Sequence, residues 1–112
     1  MERRSKQRFE VCLDAIWDGA RGNSRTRITD LSEGGCYVDS MSEAATGEML
    51  HLKVELANED WLDLTGEVVH TFPRLGFGLR FVALDPLQRQ KLLALLERLS
   101  ASSERPMARI CA

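Results

Sequence analysis

Two short clusters in this sequence carry residue types that recognise ligands. The first is Arg4-Ser5-Lys6-Gln7-Arg8, an R-x-x-x-R spacing directly ahead of Phe9. A guanidinium donates two parallel hydrogen bonds from a planar fork, which suits phosphate oxygens and also the O6 and N7 acceptors of guanine. Two such forks converge on one anion if the segment folds over a surface. A solvated basic N-terminus is the plainer reading of the same residues. The second cluster is Asp30-Leu31-Ser32-Glu33-Gly34-Gly35, a D-x-S-x-x-G pattern. Asp30 offers two acceptor oxygens, which complement the N1–H and N2–H donors of guanine's Watson–Crick edge. Ser32 can donate to a phosphate or a base, and on a strand it would share a face with Asp30. Glycine at 34 and 35 permits positive φ and so a sharp break, and Gly35 also lets a ligand approach the backbone. The plainer reading here is a β-turn whose Asp and Ser hold their own backbone.

Other chemistries lack their residues. His51 and His70 have no partner nucleophile at a telling spacing, and no G-x-S-x-G elbow, H-E-x-x-H pair or P-loop occurs. No catalytic residue and no enzymatic activity are therefore expected. Cys12, Cys36 and Cys111 are odd in number and form no C-x-x-C pair, so no metal site is expected. Free thiols in odd number fit a reducing cytosol, hence a cytoplasmic location. Cys12 and Cys36 read as small apolar filler within strands. No apolar run approaches the roughly 20 residues of a membrane helix, and the N-terminus has no secretory signal, so no membrane insertion is expected.

The chain has 112 residues, 44% hydrophobic and 29% charged, which fits one globular domain. Its net charge of -2 is unevenly spread. Residues 1–28 carry seven bases against four acids, and residues 29–112 eight bases against thirteen acids. A long polyanion is thereby disfavoured as a partner, whereas a local site for a small anion is not. A small barrel binding nucleic acid through Arg21, Arg25 and Arg27 is a rival reading, but alternating arginines near a turn more simply make an exposed strand face.

The elements that must position these clusters read mostly at period two. Phe9, Val11, Leu13, Ala15 and Trp17 alternate with polar or partly polar neighbours, predicting a half-buried strand. A turn follows at 19–23, then a strand around 25–31 and a short strand at Cys36-Tyr37-Val38. Residues 49–56 alternate most clearly. Trp61 to His70 predicts another strand with a bulge at Gly66, and Leu75 to Val82 a last one. On that last strand, Gly76 and Gly78 point to close approach of another backbone or to a barrel bend. Near residue 84 the period changes, and Leu87, Leu92, Leu95, Leu96 and Leu99 form one helical stripe. Asp85, Pro86 and Gln88 make a capping-box start, and the helix should end near Ser100. About six strands at roughly 10-residue spacing predict a small antiparallel barrel or sandwich. The stripe either caps the barrel or makes a homodimer contact. Trp17 and Trp61 sit in alternating patterns and read as core or barrel-surface residues.

Taken together, an R-x-x-x-R before the first strand and a D-x-S-x-x-G two strands later resemble the PilZ domain, a bacterial family of receptors for the second messenger cyclic di-GMP. The resemblance runs over about residues 3–100, and takes in Gly76-Phe77-Gly78-Leu79-Arg80-Phe81, similar to the family's glycine-containing last strand, and the closing helix. It implies an all-β fold with a C-terminal helix: a six-stranded antiparallel PilZ-type β-barrel. It also implies that Arg4 and Arg8 grip phosphates and a guanine Hoogsteen edge, that Asp30 and Ser32 bind from the barrel surface, and that Gly35 shapes the loop. Gly34 matches no required position and would only loosen the turn. Arg3, directly before the motif, would stack on a guanine or contact a second ligand molecule. Where the family often has tryptophan, in the strand before the last, this chain has Val68-Val69-His70.

The expected organisation is a flexible arginine-rich arm at 1–8, a barrel with its helix at 9–100, and a mobile tail at 101–112. The expected function is that of a single-domain receptor that binds cyclic di-GMP, without any cofactor, and signals to an unidentified downstream protein by ordering its arm. A PilZ-like adaptor that works through protein contacts alone is the alternative.

Overall fold

The computed structural model describes residues 7–19, 22–41 and 44–102. Six strands follow one another: β1 (Phe9–Gly19), β2 (Gly22–Leu31), β3 (Gly35–Asp39), β4 (Met49–Glu55), β5 (Trp61–Phe72) and β6 (Gly76–Phe81). A 3-10 turn at Ala57–Glu59 separates β4 from β5, and helix α1 (Pro86–Ser102) closes the chain of elements. The strands form a closed antiparallel barrel in the order β1-β2-β3-β6-β5-β4. Closure removes the unpaired edges that an open sheet of this size would expose. The expected six-stranded barrel with a C-terminal helix is thus the observed fold.

Alternation in the sequence becomes an inside and an outside. Leu50, Leu52 and Val54 of β4, with Leu62, Leu64 and Val68 of β5, are at most 1% exposed. Ile28, Val38 and Phe77 complete the interior from β2, β3 and β6. Trp17 meets Phe77 edge to face, with ring centroids 5.4 Å apart, and is core. Trp61 lies on the surface with the Lys53 ammonium 5.8 Å from its ring centre. Cys36 is a buried free thiol and fills the core as expected. Cys12 departs from the expectation of free thiols, because it is disulfide-bonded.

Two local expectations are corrected. Gly66 is no bulge: it stays in register with Leu50 on one side and Phe81 on the other. The extra residue is Val69, between the pairs Val68↔Leu79 and His70↔Gly78. A bulge there raises the local twist of the longest strand as it runs out to the β5–β6 turn. Of the two glycines on β6, only Gly76 marks a close approach. It has φ of +138°, and a Cβ would collide with the Val38 carbonyl oxygen, whereas at Gly78 the nearest atom would sit at an ordinary 3.5 Å.

Helix α1 starts as its capping box dictates. The Asp85 N–H donates to Gln88 Oε1 and the Gln88 N–H to Asp85 Oδ1, both at 2.8 Å. Leu92 and Leu95 enter the core, with Leu96 and Leu99 packed partly against it. Leu87 does not belong to the stripe and is 62% exposed. Leu92 is five positions on, which turns Leu87 about 140° away from it around a 3.6-residue helix. Lys91 Nζ donates to the Trp61 carbonyl at 3.0 Å and to Asp60 at 3.2 Å, fastening the helix over the end of the barrel where β5 begins. The stripe therefore caps the barrel. Among the described residues no helix is long and apolar enough to cross a membrane.

Leu92→Ala should cost about 2–5 kcal/mol of stability through lost burial and a residual cavity, and Leu87→Ala no more than about 0.5 kcal/mol, as for surface changes generally. Urea unfolding of both variants checks this; equal losses would contradict the assignment of the buried face.

Candidate ligand-binding site

The barrel's register brings the two motifs together. Phe9 pairs with Leu31 and Glu10 with Asp30, so the residue before β1 stands beside the end of β2. Arg8 Nη1 donates to Asp30 Oδ1 at 2.9 Å, across 22 residues of sequence. The pair is half-open to solvent, with side-chain exposures of 55% for Arg8 and 37% for Asp30. Cys36 lies buried beneath it. Burial, then the Asp30 carboxylate, push its thiol far above the ordinary range, with Arg8 pulling weakly the other way. Cys36 is therefore a neutral, inert floor rather than a nucleophile.

Ser32 sits differently from the sequence expectation. The β2–β3 register shifts between Ile28 and Asp30, β2 ends at Leu31, and Ser32 is only 4% exposed. Period-two facing stops with the strand, so Ser32 turns inward instead of sharing the outer face with Asp30. Its N–H donates to the Gly35 carbonyl at 2.9 Å. Its hydroxyl accepts from the Gly34 N–H at 3.2 Å and donates to the Gly35 carbonyl at 3.3 Å. Ser32 thus holds the loop that follows Asp30, as serine commonly does in turns.

The glycines act through space rather than through a special backbone. Neither Gly34 nor Gly35 has a positive φ, which corrects the expected reason for the break. Gly35 pairs with Arg80, and a Cβ on it would collide with the Leu79 carbonyl oxygen. Only hydrogen fits between β3 and β6 there. Gly34 does not loosen the turn; its carbonyl accepts from the Phe81 N–H at 2.8 Å, which ties the loop to the end of β6. Glu33 reaches Arg89 of α1 at 4.0 Å, so the helix also steadies the loop.

Arg3 and Arg4 lie outside the described residues, as does most of the expected 1–8 arm and nearly all of the 101–112 tail. A neighbouring feature escaped sequence reasoning. An open groove of about 470 Å³ runs beside Gln7 and Phe9, walled by Glu33, Leu93 and Glu97. The signal for it was Leu93, a leucine off the buried stripe. Further along β1 and β2, Arg25 and Arg27 line a groove that also holds Asp14 and Asp39, and Arg27 is 3.8 Å from Asp14; Arg21 lies outside the described residues. That mixture of signs is not the basic stripe a nucleic-acid backbone requires. Among the described residues no group of three metal-ligating side chains converges.

Comparison with known proteins places this geometry. A comparison with curated protein sequences finds no match. Among solved structures, the Bacillus subtilis inhibitor of motility MotI superposes with a TM-score of 0.78 at 22% identity, covering 94% of this chain and 55% of that one. YcgR from Escherichia coli, in complex with c-di-GMP, gives 0.75 at 17% identity, over 93% of this chain and 49% of that one. The separate PilZ domain of YcgR with c-di-GMP gives 0.71 at 15% identity, over 96% of this chain and 100% of the domain. The chain thus spans about half the length of MotI and YcgR, and at these identities the likeness establishes the fold. The family model of the PilZ domain matches residues 2–98, nearly the whole sequence, and on that match the chain belongs to the PilZ domain family.

Proposed function

We propose that the chain is a cytoplasmic, non-catalytic receptor for cyclic di-GMP. In this reading Arg3, Arg4 and Arg8 hold the ligand from the N-terminal segment and Asp30 from the barrel surface, while Ser32 and Gly35 shape the loop that presents Asp30. The observation that supports it most is the Arg8–Asp30 contact at 2.9 Å. It joins the last residue of one motif to the first of the other, at a half-exposed place that a ligand can reach.

The two residues offer opposite halves of guanine recognition. The arginine fork fits O6 and N7, and the carboxylate accepts from N1–H and N2–H. A half-exposed ion pair contributes roughly 0–1 kcal/mol, so a ligand that satisfies both partners displaces it at little cost. Ser32 positions the loop and keeps the Asp30 carboxylate on the outer surface. Gly35 lets that loop lie flat on β6. The solved complexes of YcgR with c-di-GMP support the choice of ligand.

Signalling follows from charge. Residues 1–8 hold Arg3, Arg4, Lys6 and Arg8 against a single acid, Glu2. Four cations so close repel one another, and the segment has little apolar surface to fold around. Two ligand phosphates relieve the repulsion. Each charge-assisted hydrogen bond contributes roughly 1.5–3 kcal/mol, whereas ordering costs about 1–2 kcal/mol per residue. Ordering an arm of this length therefore needs several bonds, which is why both arginines of the motif are required. The arm then folds onto the barrel and makes a new surface for a downstream protein. In this reading the arm is 1–8, the barrel and helix 9–100, and the tail 101–112.

Arg4→Ala and Arg8→Ala should each remove most cyclic di-GMP binding in calorimetric titration while leaving the circular dichroism spectrum of the barrel unchanged. Near-parental affinity in both variants would refute the site, and would favour an adaptor acting through protein contacts alone. Asp30→Ala should lose preference for cyclic di-GMP over cyclic di-AMP, and retained discrimination would refute its base-reading role. Arg3 supports binding of two ligand molecules per chain, as an intercalated pair. The measured stoichiometry should be two, falling to one in Arg3→Ala; a stoichiometry of one in both would reject it.

A further inference from the structure

Past the ends of β3 and β5 the barrel carries an exposed apolar feature built from none of the motif residues. Here β3 ends at Asp39 and β5 turns into β6, closed by a hydrogen bond from the Leu75 N–H to the Phe72 carbonyl at 2.8 Å. Three large apolar side chains stand in solvent: Met41 at 76% exposure, Leu75 at 65% and Phe72 at 47%. Pro73 beside them is exposed too. Tyr37 and His70, with ring centres 6.1 and 6.4 Å from that of Phe72, carry the surface on along the outer face toward Asp30, the register partner of Tyr37. Helix α1 is fastened to Trp61 at the opposite end and covers none of this.

The charges at the patch are what identify its occupant. Arg74 occupies the third position of the turn with φ of 67°, where glycine is the favoured residue. No ion pair is recorded for it among the described residues. Asp39 lies close by, since the register Val38↔Phe77 sets it next to Gly76. Among the described residues Asp39 forms no ion pair either; Arg27, across the ladder from it, directs its guanidinium to Asp14 at 3.8 Å. Among the described residues the patch is therefore an apolar centre with the Arg74 cation on one side and the Asp39 carboxylate, which shares a groove with Arg25 and Met41, on the other. A two-fold contact needs a self-complementary surface, in which residue i meets j and j meets i.

We propose that this end of the barrel is a homodimer contact, in which Phe72, Leu75 and Met41 of two copies pack together and Arg74 of each copy pairs with Asp39 of the other. Three apolar side chains and two charges per copy make a smaller contact than the roughly 800 Å² per partner of a standard interface. The dimer is accordingly weak and reversible, and forms as concentration rises through the micromolar range.

The test is sedimentation velocity of the full chain under reducing conditions, without nucleotide, over a concentration series. The parent should move from the mass of one 12.6 kDa chain toward twice that mass. Leu75→Glu, Arg74→Asp and Asp39→Arg should each stay monomeric at concentrations where the parent dimerises, with unchanged circular dichroism. Mixing the Arg74→Asp and Asp39→Arg chains should restore association, because the mixed pair again matches each cation with an anion. A parent that stays monomeric throughout would overturn the proposal. So would a dimer that survives Leu75→Glu, or charge variants that fail to associate when mixed. No nucleotide enters the experiment, so its outcome is separate from that of the receptor reading.

Discussion

The fold depends on how closely β3 can approach β6. These strands are far apart in sequence, and their pairing joins the two halves of the barrel between β2 and β5. A glycine stands at each end of the contact. A side chain at Gly35 would strike the Leu79 carbonyl oxygen, and one at Gly76 would strike the Val38 carbonyl oxygen. With hydrogen at both places, Cys36, Val38, Phe77 and Leu79 pack inward, and the interior closes on Trp17. The candidate site inherits this geometry. Gly34 bonds to Phe81, Ser32 folds its hydroxyl over Gly34 and Gly35, and Asp30 is left on the outside next to Arg8.

Electrostatics at the site are weak, which suits the receptor role proposed for it. A buried Arg–Asp pair would be costly to open. The half-exposed pair here is not, so the same two groups can exchange one another for a ligand. The chain's overall charge of -2 does not oppose this. Its cations are gathered at the start, and its acids include Asp30, the carboxylate proposed to read the guanine edge.

Much of the fold was legible because it rests on local rules. Alternation along residues 49–56 set the buried face of β4, and the change of period near residue 84 set the helix. The Asp85–Gln88 pair closed as its spacing required. What failed depended on partners remote in sequence. The bulge at Val69 comes from the pairing of β5 with β6, whereas Gly66 drew attention only because glycine often marks bulges. Leu87 was one leucine among many, and only the angle around the helix excludes it. Of the site, the motif spacing was legible, as was the pairing of cation with carboxylate chemistry. The inward turn of Ser32 was not, because it depends on β2 ending one residue earlier. The groove beside Gln7 was not either, because it exists only once α1 lies over the barrel end.

The central claim is that Arg8 and Asp30 give up one another for a guanine of cyclic di-GMP. Calorimetric titration of the parent chain with cyclic di-GMP, set against cyclic di-AMP in the same buffer, tests it most directly. Saturable binding of cyclic di-GMP with far weaker binding of cyclic di-AMP is the predicted result. No binding of cyclic di-GMP, or equal binding of the two, would contradict it.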